Sequence, residues 1–315
     1  LLVEANGKFF MTLALALEQL LNGIQFGVML FLMASGLTLI FGVMGLINLA
    51  HGSLYMVGAF VCAYVTGITG SFWLGLLAGA LGAAIMGVIV EVLVIRRLYQ
   101  RDHLDQVLAT FALILILSEG TALVFGSQPL WLDIPSILKG SIELGSVIYP
   151  VYRILIIIVG VLVALGLYLL ISRTRIGMRI RAGENDREMI GALGVNISVL
   201  YTFVFAVGAA LAGLAGSLVG ALQSVEVGMG EPVLILAFVV IVIGGIGSIK
   251  GALIGAMLVG IVDTLGRVLL PSFFQWFMEP SAAASVGSSL ASMLIYLLMA
   301  IILAIKPKGL FPAND

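Results

Sequence analysis

Nine apolar stretches, parted by short polar or glycine-rich breaks, decide most of what this chain can be. They cover residues 22–45, 46–66, 72–95, 105–125, 153–172, 198–222, 233–249, 251–270 and 288–305. A helix that crosses a bilayer needs about 20 mainly apolar residues. No water reaches the backbone in lipid, so spanning segments are helices or closed barrels. The stretches lack the period-two alternation of barrel strands. The predicted fold is therefore all-α, a polytopic transmembrane helical bundle of about eight to nine spans, interrupted helices included. Because 46–66 and 233–249 are short or rich in glycine, eight full crossings stay open beside nine.

Composition narrows the function classes. Hydrophobic residues make up 62% and charged residues 10%, where soluble domains carry about 25% charged. This predicts one transmembrane domain over residues 1–315, embedded in membrane lipid. No basic face suits nucleic acid. Cys62 is alone, which leaves no internal disulfide and no thiolate cluster, and His51 and His103 are too few for a histidine-ligated metal. Leu1 is not Met, which predicts that residues precede it. The apolar run through Leu17 after Lys8 has no small-residue cleavage site, so it reads as the approach to a span and not as a signal peptide.

Charge gives the orientation. Arg96, Arg97 and Arg101 end the third stretch, and Lys306 with Lys308 follow the last. Between the fifth and sixth lies a polar island, Arg173 to Asn196, with five arginines (Arg173, Arg175, Arg179, Arg181, Arg187) against Glu184, Asp186 and Glu188. Loops rich in Lys and Arg stay on the cytoplasmic side, so all three clusters should lie there. The loops 126–152 and 223–232 are poor in positive charge and should face out. Nine crossings would put the N-terminus outside, and eight inside. Glu4 and Lys8 cancel and do not decide.

The second half of the island (173–197) reads as a short helix. Asn185 is the predicted N-cap with Glu188 three residues on, Asp186 and Glu188 sit near the positive helix end, and Gly194 is the stop. Such a helix suits docking to a soluble partner; an ordinary basic loop that only sets topology is the plainer reading. The outer loop 126–152 has three prolines and a weakly alternating segment, Ser141–Val151, which predicts a hairpin or an interfacial helix. Phe273, Phe274, Trp276 and Phe277 form an aromatic anchor for the membrane interface.

Small residues and buried polar groups mark the interior. Gly208, Ala212, Gly216 and Gly220 lie four apart, a stripe where another helix backbone can approach closely. Gly244, Gly245, Gly247 and Gly251 surround a break and predict a helical hairpin or discontinuous helix beside the transported molecule, with a plain turn as the alternative. No GxxxxGK[ST] phosphate loop occurs. Asn48, His51 and Glu119 are candidates for the translocation path, since ionisable or polar groups at membrane depth are costly and face the bundle interior or water. Helix bridging is the structural alternative for His51 and Glu119. Gln25 and Asn22 should also point inward. Glu91 should pair with Arg96, and Asp263 with Arg267 four residues on.

Three blocks together resemble one family. TLIFGVMGLINLAHGSLYMVGAF (38–60), RIGMRIRAGENDREMIGALGVN (175–196) and AFVVIVIGGIGSIKGALIGAMLVGIVDTL (237–265) are similar, in order and spacing, to the permease subunits of ABC importers for branched-chain amino acids. The resemblance covers roughly residues 20–310. It implies a bacterial inner-membrane, multi-pass subunit that forms the translocation path and is not itself an enzyme. It implies a second related permease (or a copy of this chain), two ABC ATPase subunits and a periplasmic substrate-binding protein as partners. No cofactor would sit on this chain; ATP and magnesium would be held by the ATPases. The coupling role would fall on Arg181, Glu184, Asn185, Asp186, Arg187, Met189 and Gly194. Relatives of the same type carry urea, short amides or aromatic acids, and an ion-coupled secondary transporter or a purely structural membrane subunit would be different classes altogether.

Overall fold

The computed structural model describes residues 2–145 and 147–312, with side chains from Ala14 onward except at Leu144, Glu184, Asn185, Arg187 and Glu188. Among these residues the helices run α1 (Leu2–Met44), α2 (His51–Thr69), α3 (Phe72–Leu93), α4 (His103–Phe125), α5 (Val151–Arg173), α6 (Arg175–Asn185), α7 (Arg187–Ala192), α8 (Ile197–Val219), α9 (Gly230–Gly244), α10 (Ile249–Phe274) and α11 (Pro280–Ile305). A hairpin of β1 (Ser141–Leu144) and β2 (Val147–Pro150) closes the outer loop, with Ile142 opposite Tyr149. Eight helices are long and apolar enough to cross a membrane, counting α1 from Ala14. The 15 residues of α9 span only about 22 Å at 1.5 Å per residue, short of a hydrocarbon core of roughly 30 Å. The protein is a polytopic helical bundle.

Several boundaries differ from the apolar runs, each for a local reason. α2 starts at His51 and not at 46, because Gly45 takes a positive φ of 64° and the chain leaves the helix. α9 stops at Gly244 because Gly245 and Gly247 have φ of 108° and 84°; Ser248 then caps α10, its Oγ accepting from the Gly251 amide at 3.1 Å. α11 begins eight residues before its apolar run, at Pro280, whose fixed φ suits the first helical position.

The centre of the bundle is built on close backbone approach. Gly36 of α1 lies against α8 so tightly that a Cβ would stand 2.5 Å from the Gly208 carbonyl oxygen. Gly213 meets Gly58 of α2, and Gly216 meets the Tyr55 backbone. Lacking side chains, these positions let α1, α2 and α8 gain dispersion contact, which holds helices together in lipid.

The loops sort to two ends. Leu130 and Val225 pair through both amides at 2.9 and 2.8 Å, which joins 126–152 to 223–232 at one end. At the other, Arg96 reaches Thr202 at the start of α8 (2.8 Å). The amides of Leu310 and Phe311 bind the carbonyls of Ile243 and Gly244 there. The three basic clusters thus share one end. α1 runs antiparallel to α10, with Gly23 beside Ile261 and Gly27 beside Ala256, so α1 enters from the opposite end. The short α9 connects α8 to α10 beside the eight helices of spanning length.

Candidate coupling segment and interrupted helices

The polar island folds into two short helices and not one. Thr174 opens α6 by accepting from the Gly177 amide at 3.0 Å. Asp186 opens α7, its Oδ1 accepting from the Met189 amide at 2.9 Å. The expected cap Asn185 is instead the last residue of α6. Asp186 outcompetes it because its own backbone is extended, which ends α6 and aims the carboxylate at the next turn. Gly194 (φ 84°) terminates the pair, and Asn196 caps α8 through the Val199 amide at 3.2 Å.

These helices rest on Ile180 and Ile190, both buried, while Met178, Met189 and Leu193 are exposed at 59%, 62% and 76%. Exposed apolar side chains among charged residues are surface that a partner can bury. Of these exposed side chains sequence reasoning named only Met189; for Met178 and Leu193 the signal was an apolar residue recurring among charges. Arg181 is exposed and donates to the Ile171 carbonyl. The side chains of Glu184, Asn185 and Arg187 lie outside the described residues.

A buried knot ties the next element down. Glu91, with no exposure, accepts from Arg96 Nε and Nη2 (3.2 and 3.0 Å), from Tyr99 Oη (2.6 Å) and from Thr202 Oγ1 (2.8 Å). Burial first, and then this carboxylate, raise the Tyr99 phenol above its ordinary range; the hydrogen bond to Glu91 likewise raises the Arg96 guanidinium. The Tyr99 and Tyr201 rings meet edge-on at 5.0 Å. These bonds tie the start of α8 to the end of α3. Asp263 pairs with Arg267 at 2.9 Å within α10.

The path candidates do not form one cluster. Asn48 and His51 are fully buried at the broken start of α2. Asn48 Oδ1 accepts from the Ala50 amide (3.1 Å), and His51 Nε2 donates to the Met33 carbonyl of α1 (3.3 Å). Among the described residues, Asn48 Nδ2, His51 Nδ1 and the Tyr55 hydroxyl have no hydrogen-bond partner. Gly52 touches Gly230, so the starts of α2 and α9 meet inside the bundle. Gly244 packs on Gly251 and Gly245 on Phe311, away from His51, and Gly247 borders a cavity beside α1 and α5. Glu119 stands apart from all of these on the exposed face of α4, between Leu115 and Leu123. Gln25 is buried, and Asn22 accepts from Arg153 of α5.

The family model described as branched-chain amino acid transport system, permease component, matches residues 19–303. This chain belongs to that permease family. The chain is 34% identical over 267 residues to the high-affinity branched-chain amino acid transport system permease protein BraD of Pseudomonas aeruginosa, covering 79% of this chain and 86% of the relative. Against LivH of Escherichia coli K12 the identity is 32% over 276 residues, with 82% and 88% covered. The fructose import permease FrcC of Rhizobium meliloti is 33% identical over 127 residues, 38% of this chain and 35% of that one. No solved structure matches.

Proposed function

We propose that this permease is the membrane subunit of an ATP-driven importer for branched-chain amino acids, in the inner membrane of a bacterium. The basic end is then cytoplasmic. Substrate class follows from the names of BraD and LivH, which together span most of the chain. The observation that carries the coupling is the exposure of three apolar side chains, Met178 on α6, Met189 on α7 and Leu193 just after it. An ATPase subunit covers these side chains and holds ATP and magnesium; this chain contributes no catalytic group.

Arg181, Glu184, Asn185, Asp186, Arg187, Met189 and Gly194 belong to the segment that the ATPase grips. Closure of the nucleotide sites moves α7, and the Glu91–Thr202 bond passes the displacement to α3. A periplasmic binding protein delivers the amino acid to the outer end. Along the path the orphaned polar atoms of Asn48, His51 and Tyr55 offer donors and acceptors to a zwitterion, while Gly244, Gly245 and Gly247 hold the α9–α10 break that flexes. A second, related permease covers α4. An acid in hydrocarbon is costly, about 2.5–3.5 kcal/mol on insertion scales for Asp, so Glu119 faces that partner or a water-filled path between the two.

The test is uptake of radiolabelled leucine by the reconstituted importer with and without ATP. ATP-dependent uptake that stops when α7 is disrupted supports the reading. Leucine uptake by this chain alone, without ATP, would replace it with an ion-coupled carrier.

A further inference from the structure

Beside α1, α5, α6 and α10 lies a cavity of about 980 Å³. Its walls are mostly apolar, including Phe31, Leu39, Leu165 and Met257, and Arg181 and Lys250 also line it. Leu165, within the span-length α5, is 55% exposed, so the cleft opens sideways on the flank of the bundle. Among the described residues neither cation has a carboxylate within ion-pair distance. Lys250 is the second residue of α10, whose first turn holds no acid. A cation there adds to the positive end of the helix dipole and does not balance it. A third feature is independent of charge. Thr38 is fully buried and lines the same cavity, yet its Oγ1 has no hydrogen-bond partner among the described residues.

We propose that this cleft binds an anionic phospholipid of the cytoplasmic leaflet. Its phosphate lies by Arg181 and Lys250, an ester oxygen accepts from Thr38, and an acyl chain follows Phe31, Leu165 and Met257. Two cations with no carboxylate partner among the described residues, a donor likewise unpaired there, and an apolar wall on the flank of the bundle are complementary to one amphipathic anion. Basic pockets between spanning helices on this side of the membrane bind such headgroups. The cleft lies on α1, α5 and α10, away from the α4 face assigned to the second permease. Because α6 directly follows α5, bound lipid would brace the segment proposed to couple to the ATPase, a consequence that rests on that reading.

The experiment is native mass spectrometry of the full chain, titrated with phosphatidylglycerol and with phosphatidylcholine of the same acyl chains. Wild type is expected to retain one phosphatidylglycerol in preference to phosphatidylcholine. Lys250→Gln should weaken that retention roughly fivefold, the weight of one cation near an anionic surface, and leave phosphatidylcholine unchanged. Ala164→Trp, which fills the cleft, should remove both. Lys308→Gln, outside the cavity, serves as the control and should match wild type. Equal retention of the two lipids by wild type, unchanged binding in Lys250→Gln and Ala164→Trp, or a second copy of the chain seated in the cleft would each overturn the proposal. Neither Lys250 nor Ala164 belongs to the coupling segment, so these outcomes leave the uptake test untouched.

Discussion

At the scale of single residues, the Glu91 carboxylate shows how this protein keeps a charge inside. It has no exposure, and donors from three residues surround it. Tyr99→Phe removes one hydrogen bond to a buried charge, a loss on the order of 1.5–3 kcal/mol. The expected result is a lower apparent Tm in detergent with retained membrane insertion. An unchanged Tm would show that water replaces the phenol. Spacing along the chain exposed part of this knot: Arg96 lies five positions from Glu91, as Arg267 lies four from Asp263. Thr202, which is 111 positions from Glu91, left no trace in the sequence, because contacts between distant helices depend on packing. Glu119 was legible as an unusual acid, but its exposed position was not, since one helix's composition does not reveal which face a neighbour covers.

Among the elements, α7 is short, six residues, and depends on its cap. Asp186→Ala should cost the helix about 1 kcal/mol and lower leucine uptake more than protein abundance, read by comparing uptake with the amount of chain in membranes. Equal loss of both would mean that the cap serves folding alone. At the α1–α8 crossing, Gly36→Ala puts a methyl into the Gly208 carbonyl, backbone against backbone with no flexible side chain to give way. It should cut the yield of folded permease severely, whereas Gly120→Ala, with nothing near its position, should not. The stripe on α8 was readable because four-residue spacing translates directly into a helix face. The start of α2 was not. Asn48 alone interrupts the glycine and apolar residues of 45–50 while the backbone turns there, and hydropathy is blind to φ. The cap of α7 was misplaced by one residue for a related reason: Asn185 and Asp186 are equally good capping types, and only the extended backbone of Asp186 distinguishes them.

For the molecule as a whole, the account requires an assembly. α4 turns Leu104, Leu108, Leu115 and Leu123 outward along with Glu119, and the proposed second permease would cover the acid. Glu119→Lys should weaken co-purification of the second permease, and unaltered co-purification would return this face to lipid or to a separate water path. The apolar runs already specified the bundle, but the assembly was visible only as resemblance, because no run of residues within one chain encodes its neighbour.

The central claim is that α6 and α7 receive force from an ATPase. The most direct measurement is leucine uptake alongside ATP hydrolysis by the full importer in proteoliposomes, wild type against Met189→Asp with Leu193→Asp. The account predicts a correctly inserted permease whose ATP-driven uptake falls about tenfold or more, as when an interface anchor is lost. Uptake at the wild-type rate, with the ATPase still bound, would contradict it.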